Sequence, residues 1–109
     1  MSIDLKELMH GSRKIAVEHG FVTNWNNFPE KLMLIVSELS EALEEFRANR
    51  FEIWYRESDG KPEGIAMELA DVQIRLAELC EALDIDLEGA IQEKEAFNKT
   101  RPFKHGKTI

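Results

Sequence analysis

The sequence predicts an all-α fold of four helices. Apolar residues recur every three or four positions over most of the 109-residue chain, which is the spacing of amphipathic helices. No run of alternating apolar and polar residues indicates a strand, and no internal repeat or low-complexity tract is present. These observations indicate a four-helix bundle in which the second and third helices form the core pair.

The first two helices have clear end signals. The first runs from Ser2 or Asp4 to Glu18 and stops before Gly20. A loop over 21–28 follows, in which Asn27 is a suitable N-cap and Pro29 fits the first turn of the second helix. That helix carries the strongest amphipathic signal of the chain, through Leu32, Ile35, Val36, Leu39, Ala42, Leu43 and Phe46.

The last two helices follow a break in the periodicity over 50–61. A turn at 58–62 precedes the third helix, whose apolar positions are Ile65, Leu69, Val72, Leu76, Leu79 and Leu83. Asp84 or Asp86 can cap a fourth helix over about 87–98, and Pro102 prevents a regular helix beyond it.

The composition excludes several classes of protein. With 43% apolar residues the chain is too apolar to be disordered, and its longest apolar run, 32–36, is far too short to span a bilayer. The first residues lack the pattern of a signal peptide, and the single cysteine, Cys80, cannot form an internal disulfide. We therefore expect a cytoplasmic protein that does not associate with membranes.

The charge is unevenly distributed. Acidic residues outnumber basic ones 21 to 14, for a net charge of −7, and all of the acids lie at or before Glu95. Lys99, Arg101, Lys104 and Lys107 give the last eleven residues a positive charge. An acidic body argues against a protein that binds duplex DNA, which must neutralise phosphates over a broad face. It suits a protein that collects cations and, through them, anions.

Two pairs of acidic residues lie within the most apolar helices. Glu38 and Glu41 belong to the second helix, and Glu68 and Asp71 to the third. Residues three apart project from one side of a helix, so antiparallel packing of these helices lets the two pairs face each other. Most acidic pairs in this chain are ordinary solvated helix faces, but these two have apolar neighbours.

Four converging carboxylates repel one another unless a cation neutralises them. An oxygen-only ligand set predicts Mg²⁺, with Mn²⁺ as a possible substitute. A di-iron carboxylate bundle is the main rival, but it requires Glu-x-x-His on two helices. The chain has one such string, Glu7-x-x-His10.

The ordered motifs resemble those of a known family. Glu38-x-x-Glu41, followed after 26 residues by Glu68-x-x-Asp71, resembles the ExxE and ExxD signature of the all-α nucleoside triphosphate pyrophosphohydrolases, and more narrowly their MazG-like branch. The similarity extends to the sequence around both pairs, and to Lys94-x-x-x-Asn98 with the basic segment 99–107. It covers about 25–107.

The resemblance implies a single MazG-like helical domain over 1–98 and a basic tail over 99–109 that contributes to a phosphate site. It implies Mg²⁺-dependent hydrolysis of a nucleoside triphosphate to the monophosphate and pyrophosphate, in nucleotide-pool sanitation, by a homodimer or a dimer of dimers. The implied metal ligands are Glu38, Glu41, Glu68 and Asp71. The implied substrate-binding residues are Lys94, Asn98 and Arg101, which approach the phosphates, and Trp25, which contacts the base.

One position departs from the family pattern. Many members have a glutamate just before the first ligand, and this chain has Ser37. Water activation must then depend on a ligand carboxylate such as Glu41, or on the metal without a separate base. Glu45, one turn after Glu41, is a further candidate.

Two other functions are compatible with the sequence. The same architecture could hydrolyse phosphoribosyl-ATP or dUTP. Alternatively, the chain could be a non-catalytic helical assembly module whose acids form an ordinary solvated face.

Overall fold

The computed structural model describes residues 2–106 and is mostly helical, as predicted. Four α-helices follow in the order α1 (Leu5–Glu18), α2 (Phe28–Arg47), α3 (Ile65–Ala82) and α4 (Leu87–Asn98). Short 3₁₀ turns cover Trp25–Asn27 and Phe103–Gly106. The basic tail is thus described as far as residue 106, and Lys107 lies outside the described residues. Among those described, no helix combines the length and apolarity needed to cross a bilayer.

The helix ends form largely where the sequence predicts them. Asp4 and Asp86 accept hydrogen bonds from the backbone N–H groups of Glu7 and Gly89 and so cap α1 and α4. Asn27 is the residue before α2, but its side chain does not cap that helix. It forms a reciprocal capping box with Asn24 around the 3₁₀ turn instead.

A short β-hairpin connects α2 to α3, and here the expectation of a chain without strands is wrong. Its strands, β1 (Trp54–Tyr55) and β2 (Pro62–Glu63), are antiparallel, with Trp54 opposite Glu63. Two residues per strand are too few to produce an alternating pattern in the sequence. The turn is closed by local contacts, including two hydrogen bonds from the Arg56 guanidinium to Asp59.

Helix α3 lies between α1 and α2 and packs against both. The most buried apolar cluster forms where α1 meets α3, around Met9, Ala77 and Cys80. Small residues on α3 allow this close approach. The core is therefore centred on α1 and α3, whereas the interface of α2 with α3, predicted to be the core pair, holds the acidic residues.

Helix α4 is set apart from the other three in the described structure. Its first residue, Leu87, packs against the α1–α3 cluster, but α4 forms no extensive interface with another helix of the described chain. The number of helices is confirmed, and their arrangement as a four-helix bundle stays a prediction.

Candidate metal centre

Three of the four predicted ligands meet between α2 and α3. The helices are antiparallel, since Glu38 bonds Arg75 near the middle of α3 while Glu41 faces the earlier residue Glu68. Carboxylate oxygens of Glu38, Glu41 and Glu68 all lie within 4.8 Å of one another. Glu38 and Glu68 are only 7% and 4% exposed, whereas Glu41 is exposed. The site therefore has a buried side and one open carboxylate.

Asp71, the fourth predicted ligand, borders this triplet and also lines the adjacent cavity together with Glu38. Burial, followed by the negative charge of Glu38, raises the pKa of the Asp71 carboxyl. The Arg75 guanidinium opposes this effect. The structure thus brings all four acids to one region of the α2–α3 interface.

A second acidic triplet shares Glu68 with the first. Oxygens of Glu45, Glu63 and Glu68 also lie within 4.8 Å of one another. Two of these acids have partners outside the triplet: the Trp54 indole N–H donates to Glu45 Oε2 at 3.1 Å, and Lys61 Nζ lies 3.4 Å from Glu63 Oε1. The hairpin therefore contributes one acidic residue, Glu63, and two side chains that interact with the acids, the Lys61 ammonium and the Trp54 indole N–H.

The electrostatics of the first triplet favour a bound cation. Burial, followed by the neighbouring carboxyl groups of Glu41 and Glu38, raises the pKa of Glu68 to about 8. Arg75 Nε donates to Glu38 Oε1 at 3.0 Å, while Glu38 Oε2 is buried without a hydrogen-bond partner among the described residues. An orphaned buried carboxylate oxygen is costly and is unusual in a native fold. The oxygen-only donor set fits a hard divalent cation such as Mg²⁺ or Mn²⁺.

A cavity of about 490 Å³ adjoins the acids where α1, α2 and α3 meet. Its walls are formed by Ser12, Ile15 and Ala16 on α1, by His19 directly after α1, and by Asp71, Ile74, Arg75 and Glu78 on α3. Lys31 of α2, Lys61 of the hairpin and Arg75 bring positive charge to it. The cavity is therefore able to accept an anionic ligand beside a cation held by the carboxylates.

The predicted substrate-binding residues lie elsewhere in the chain. Lys94 Nζ and Arg101 Cζ lie 5.6 and 5.8 Å from the centroid of the Phe97 ring. Lys94, Asn98 and Arg101 are not among the residues that line the cavity. Trp25 is 61% exposed and packs at a tilt on Phe28, with 5.1 Å between ring centroids. The described chain does not bring these four residues to the carboxylates.

The cavity contains residues that sequence reasoning did not assign to the site, chiefly Phe21, Arg75 and Glu78. Arg75 and Glu78 follow Asp71 by four and seven residues, so helical periodicity predicts that they lie on the same face of α3 as Asp71. Phe21 comes from a loop, and no local pattern marks its position.

Comparisons of the chain with protein-family models, with curated proteins and with solved structures gave no match. The relationship to the MazG-like pyrophosphohydrolases consequently stays a prediction from the sequence motifs.

Proposed function

We propose that this protein is a Mg²⁺-dependent nucleoside triphosphate pyrophosphohydrolase of the MazG-like type. The observation that carries the proposal is the meeting of Glu38, Glu41 and Glu68, with Asp71 beside them, at the edge of a cavity bordered by cations. Hydrolysis of the bond between the α- and β-phosphates would give a nucleoside monophosphate and pyrophosphate.

Glu38, Glu41, Glu68 and Asp71 would hold the metal. When bound, Mg²⁺ supplies charge neutralisation at the phosphate oxygens and lowers the pKa of water. The protein's own contribution to phosphate binding is the positive charge of Lys31, Lys61 and Arg75 along the cavity. These groups orient the triphosphate beside the acidic cluster.

Glu41 is the best candidate to accept a proton from the attacking water. It is the exposed member of the first triplet, whereas Glu38 and Glu68 are buried. The Ser37 hydroxyl donates to the carbonyl of Leu34 at 2.6 Å, so it is engaged with the helix backbone. Glu45 already accepts the indole N–H of Trp54.

A homodimer formed through α2 is part of the proposal. Leu32, Val36, Leu39, Leu43 and Phe46 follow a spacing of four, three, four and three residues, which is the heptad seam of a helix pair. Each is between 40% and 55% exposed in the single chain.

The exposed surface area and the radius of gyration of the chain also favour a dimer. The chain exposes 8476 Å², whereas a compact monomer of this size exposes about 6,200 Å². The radius of gyration is 16.6 Å, against about 13 Å for a compact chain of this length. An excess of roughly 2,300 Å² is well above the ~800 Å² that each partner buries in a standard interface. In such a dimer a partner chain could supply Lys94, Asn98 and Arg101 to the phosphates.

Pyrophosphate release tests the function directly. Purified protein should release pyrophosphate, and no orthophosphate, from at least one ribo- or deoxyribonucleoside triphosphate when Mg²⁺ is present. Glu38→Gln and Asp71→Asn should abolish the release. Glu81→Gln is a matched control, because Glu81 pairs with His10 of α1 and does not line the cavity. Undiminished release by both ligand variants would refute the assignment.

The alternatives separate in the same experiments. Inclusion of dUTP and phosphoribosyl-ATP in the panel identifies the related hydrolases. A non-catalytic module would release nothing and, with its acids on a solvated face, would show no rise in melting temperature in millimolar Mg²⁺ or Mn²⁺.

A further inference from the structure

The end of the cavity remote from the acidic cluster presents hydrogen-bond acceptors. Glu78 Oε1 accepts hydrogen bonds from Arg13 Nη1 at 2.9 Å and from the Thr23 hydroxyl at 2.8 Å. No hydrogen bond to Glu78 Oε2 is present among residues 2–106. The Thr23 hydroxyl must donate to the carboxylate, so only its lone pairs remain to face a ligand. Glu78 and Thr23 both line the cavity, and both therefore offer acceptors.

These acceptors stand at a fixed distance from the metal centre. Asp71 and Glu78 are seven residues apart on one face of α3, which is about 10.5 Å along the helix axis at 1.5 Å per residue. Arg75 lies between them on the same face. A nucleotide whose phosphates lie beside Asp71 and Arg75 can therefore place its base edge near Glu78.

The walls between the two ends suit a flat ring. Ile15 of α1 and Ile74 of α3 both line the cavity, as does the ring of Phe21. Apolar side chains and an aromatic face provide contacts for a planar base without choosing among bases. Selection must come from the polar groups at the end of the cavity.

We propose that Glu78, supported by Thr23, selects substrates whose base carries an exocyclic amino group, such as cytosine or adenine. This inference rests on the proposed function, since it assigns the base of that substrate. An amino group donates to Glu78 Oε2 and has a second hydrogen for the Thr23 oxygen. Uracil and hypoxanthine have a carbonyl oxygen in place of the amino group, so in the same pose two acceptors would face each other in a sheltered site. Only the adjacent ring N–H of these bases can donate to Glu78, and the Thr23 oxygen is then left without a donor.

Two matched pairs of triphosphates test the proposal: CTP against UTP, and ATP against ITP. Each pair exchanges an amino group for a carbonyl oxygen. We expect kcat/KM for pyrophosphate release to favour the amino member by at least about tenfold, which is the effect of one hydrogen bond to a charged group. Equal rates, or a preference for UTP and ITP, would overturn the inference while leaving the proposed function intact.

Variants then assign the selectivity to the acceptors. Glu78→Gln supplies an amide N–H₂ that can donate to a carbonyl, so the CTP to UTP ratio should fall by about tenfold. Thr23→Val should reduce the ratio in the same direction without changing the charge. Glu81→Gln, one turn further along α3, should keep the wild-type ratio, because Glu81 faces His10. A ratio unchanged in both Glu78→Gln and Thr23→Val contradicts the role of Glu78.

A binding measurement without metal keeps the inference independent of catalysis. Calorimetric titration of the wild-type protein with CMP and UMP in EDTA should give tighter binding of CMP. If no triphosphate yields pyrophosphate, the proposed function fails, and this titration alone decides the base preference. Equal binding of CMP and UMP would then overturn the inference as well.

Discussion

Arg75 neutralises one oxygen of Glu38 and leaves the other without a partner. The Arg75 Nε lies 3.0 Å from Glu38 Oε1, and Oε2 is buried with no hydrogen-bond partner in the described chain. The guanidinium thus compensates part of the charge that the acids concentrate between α2 and α3. A divalent cation would compensate the remainder.

Removal of Arg75 should therefore destabilise the metal-free protein. We expect Arg75→Met to lower the free energy of unfolding in EDTA by about 1–3 kcal/mol, because it leaves a buried carboxylate uncompensated. Urea denaturation measures this change. Arg47→Met is the control, since Arg47 pairs with Glu44 at an exposed site and should contribute less than about 1 kcal/mol. Equal losses in the two variants would contradict the role given to Arg75.

The raised pKa of Glu68 predicts how stability depends on pH. The folded carboxyl has a pKa of about 8 against an ordinary value of 4.5, so between these limits the folded state binds more protons than the unfolded state. The stabilising contribution of protonated Glu68 to the free energy of unfolding is present in full below pH 4.5 and is lost as the pH rises through 8. The melting temperature in EDTA should fall between about pH 5 and 8. Glu68→Gln should flatten that fall, whereas Glu81→Gln should not.

Metal binding should also displace the Glu68 proton. At pH 7 the uptake of Mg²⁺ should release close to one proton, because ligand carboxylates bind metal in the ionised form. Calorimetric titration in two buffers of different ionisation enthalpy measures the release. A wild-type protein that binds Mg²⁺ with no proton release would refute the assignment of Glu68 as a ligand.

The apolar seam on α2 predicts the oligomeric state. Leu43→Lys places a charge in the seam and should convert the dimer to a monomer, as measured by light scattering during size-exclusion chromatography. Glu44→Lys is the control, because Glu44 is the next residue along but lies outside the seam and is exposed. A monomeric wild-type protein, or a dimeric Leu43→Lys variant, would contradict the proposed interface.

Gly64 sets the start of α3 and should not tolerate a side chain. Its φ is +118°, and a Cβ atom would lie 2.9 Å from the carbonyl oxygen of Glu52. Gly64→Ala should therefore lower the free energy of unfolding by about 1–3 kcal/mol. Gly11→Ala, within α1 and with no atom near the added Cβ, should instead raise it by up to about 1 kcal/mol. Denaturant titration measures the free energy of unfolding of both variants and shows whether the two changes have opposite signs.

Local sequence patterns were sufficient to predict the four helices and the meeting of the acids. Helical periodicity determines which residues share a face. The i, i+3 spacing places Glu38 with Glu41, and Glu68 with Asp71, on one side of each helix, so the two pairs meet when α2 and α3 pack antiparallel. The hairpin was missed because strands of two residues carry no periodicity.

The cavity could not be predicted because it depends on contacts between distant segments. Glu78 becomes part of it through Thr23, which is 55 residues away in sequence. The same reason explains why Phe21, and not Trp25, provides the aromatic side chain in its wall. Both aromatics lie in one loop, and only the packing of that loop on α1 and α3 distinguishes them.

Glu68 belongs to both acidic triplets, and this sharing links the helices to the hairpin. A ligand that draws Glu68 towards Glu38 and Glu41 changes the charge that Glu63 and Glu45 experience. Such a linkage is reciprocal: whatever orders the segment between α2 and α3 must also change affinity at the acids. The amide hydrogen exchange rates of Trp54 and Glu63, both in the hairpin, would then report whether a ligand occupies the site formed by Glu38, Glu41 and Glu68.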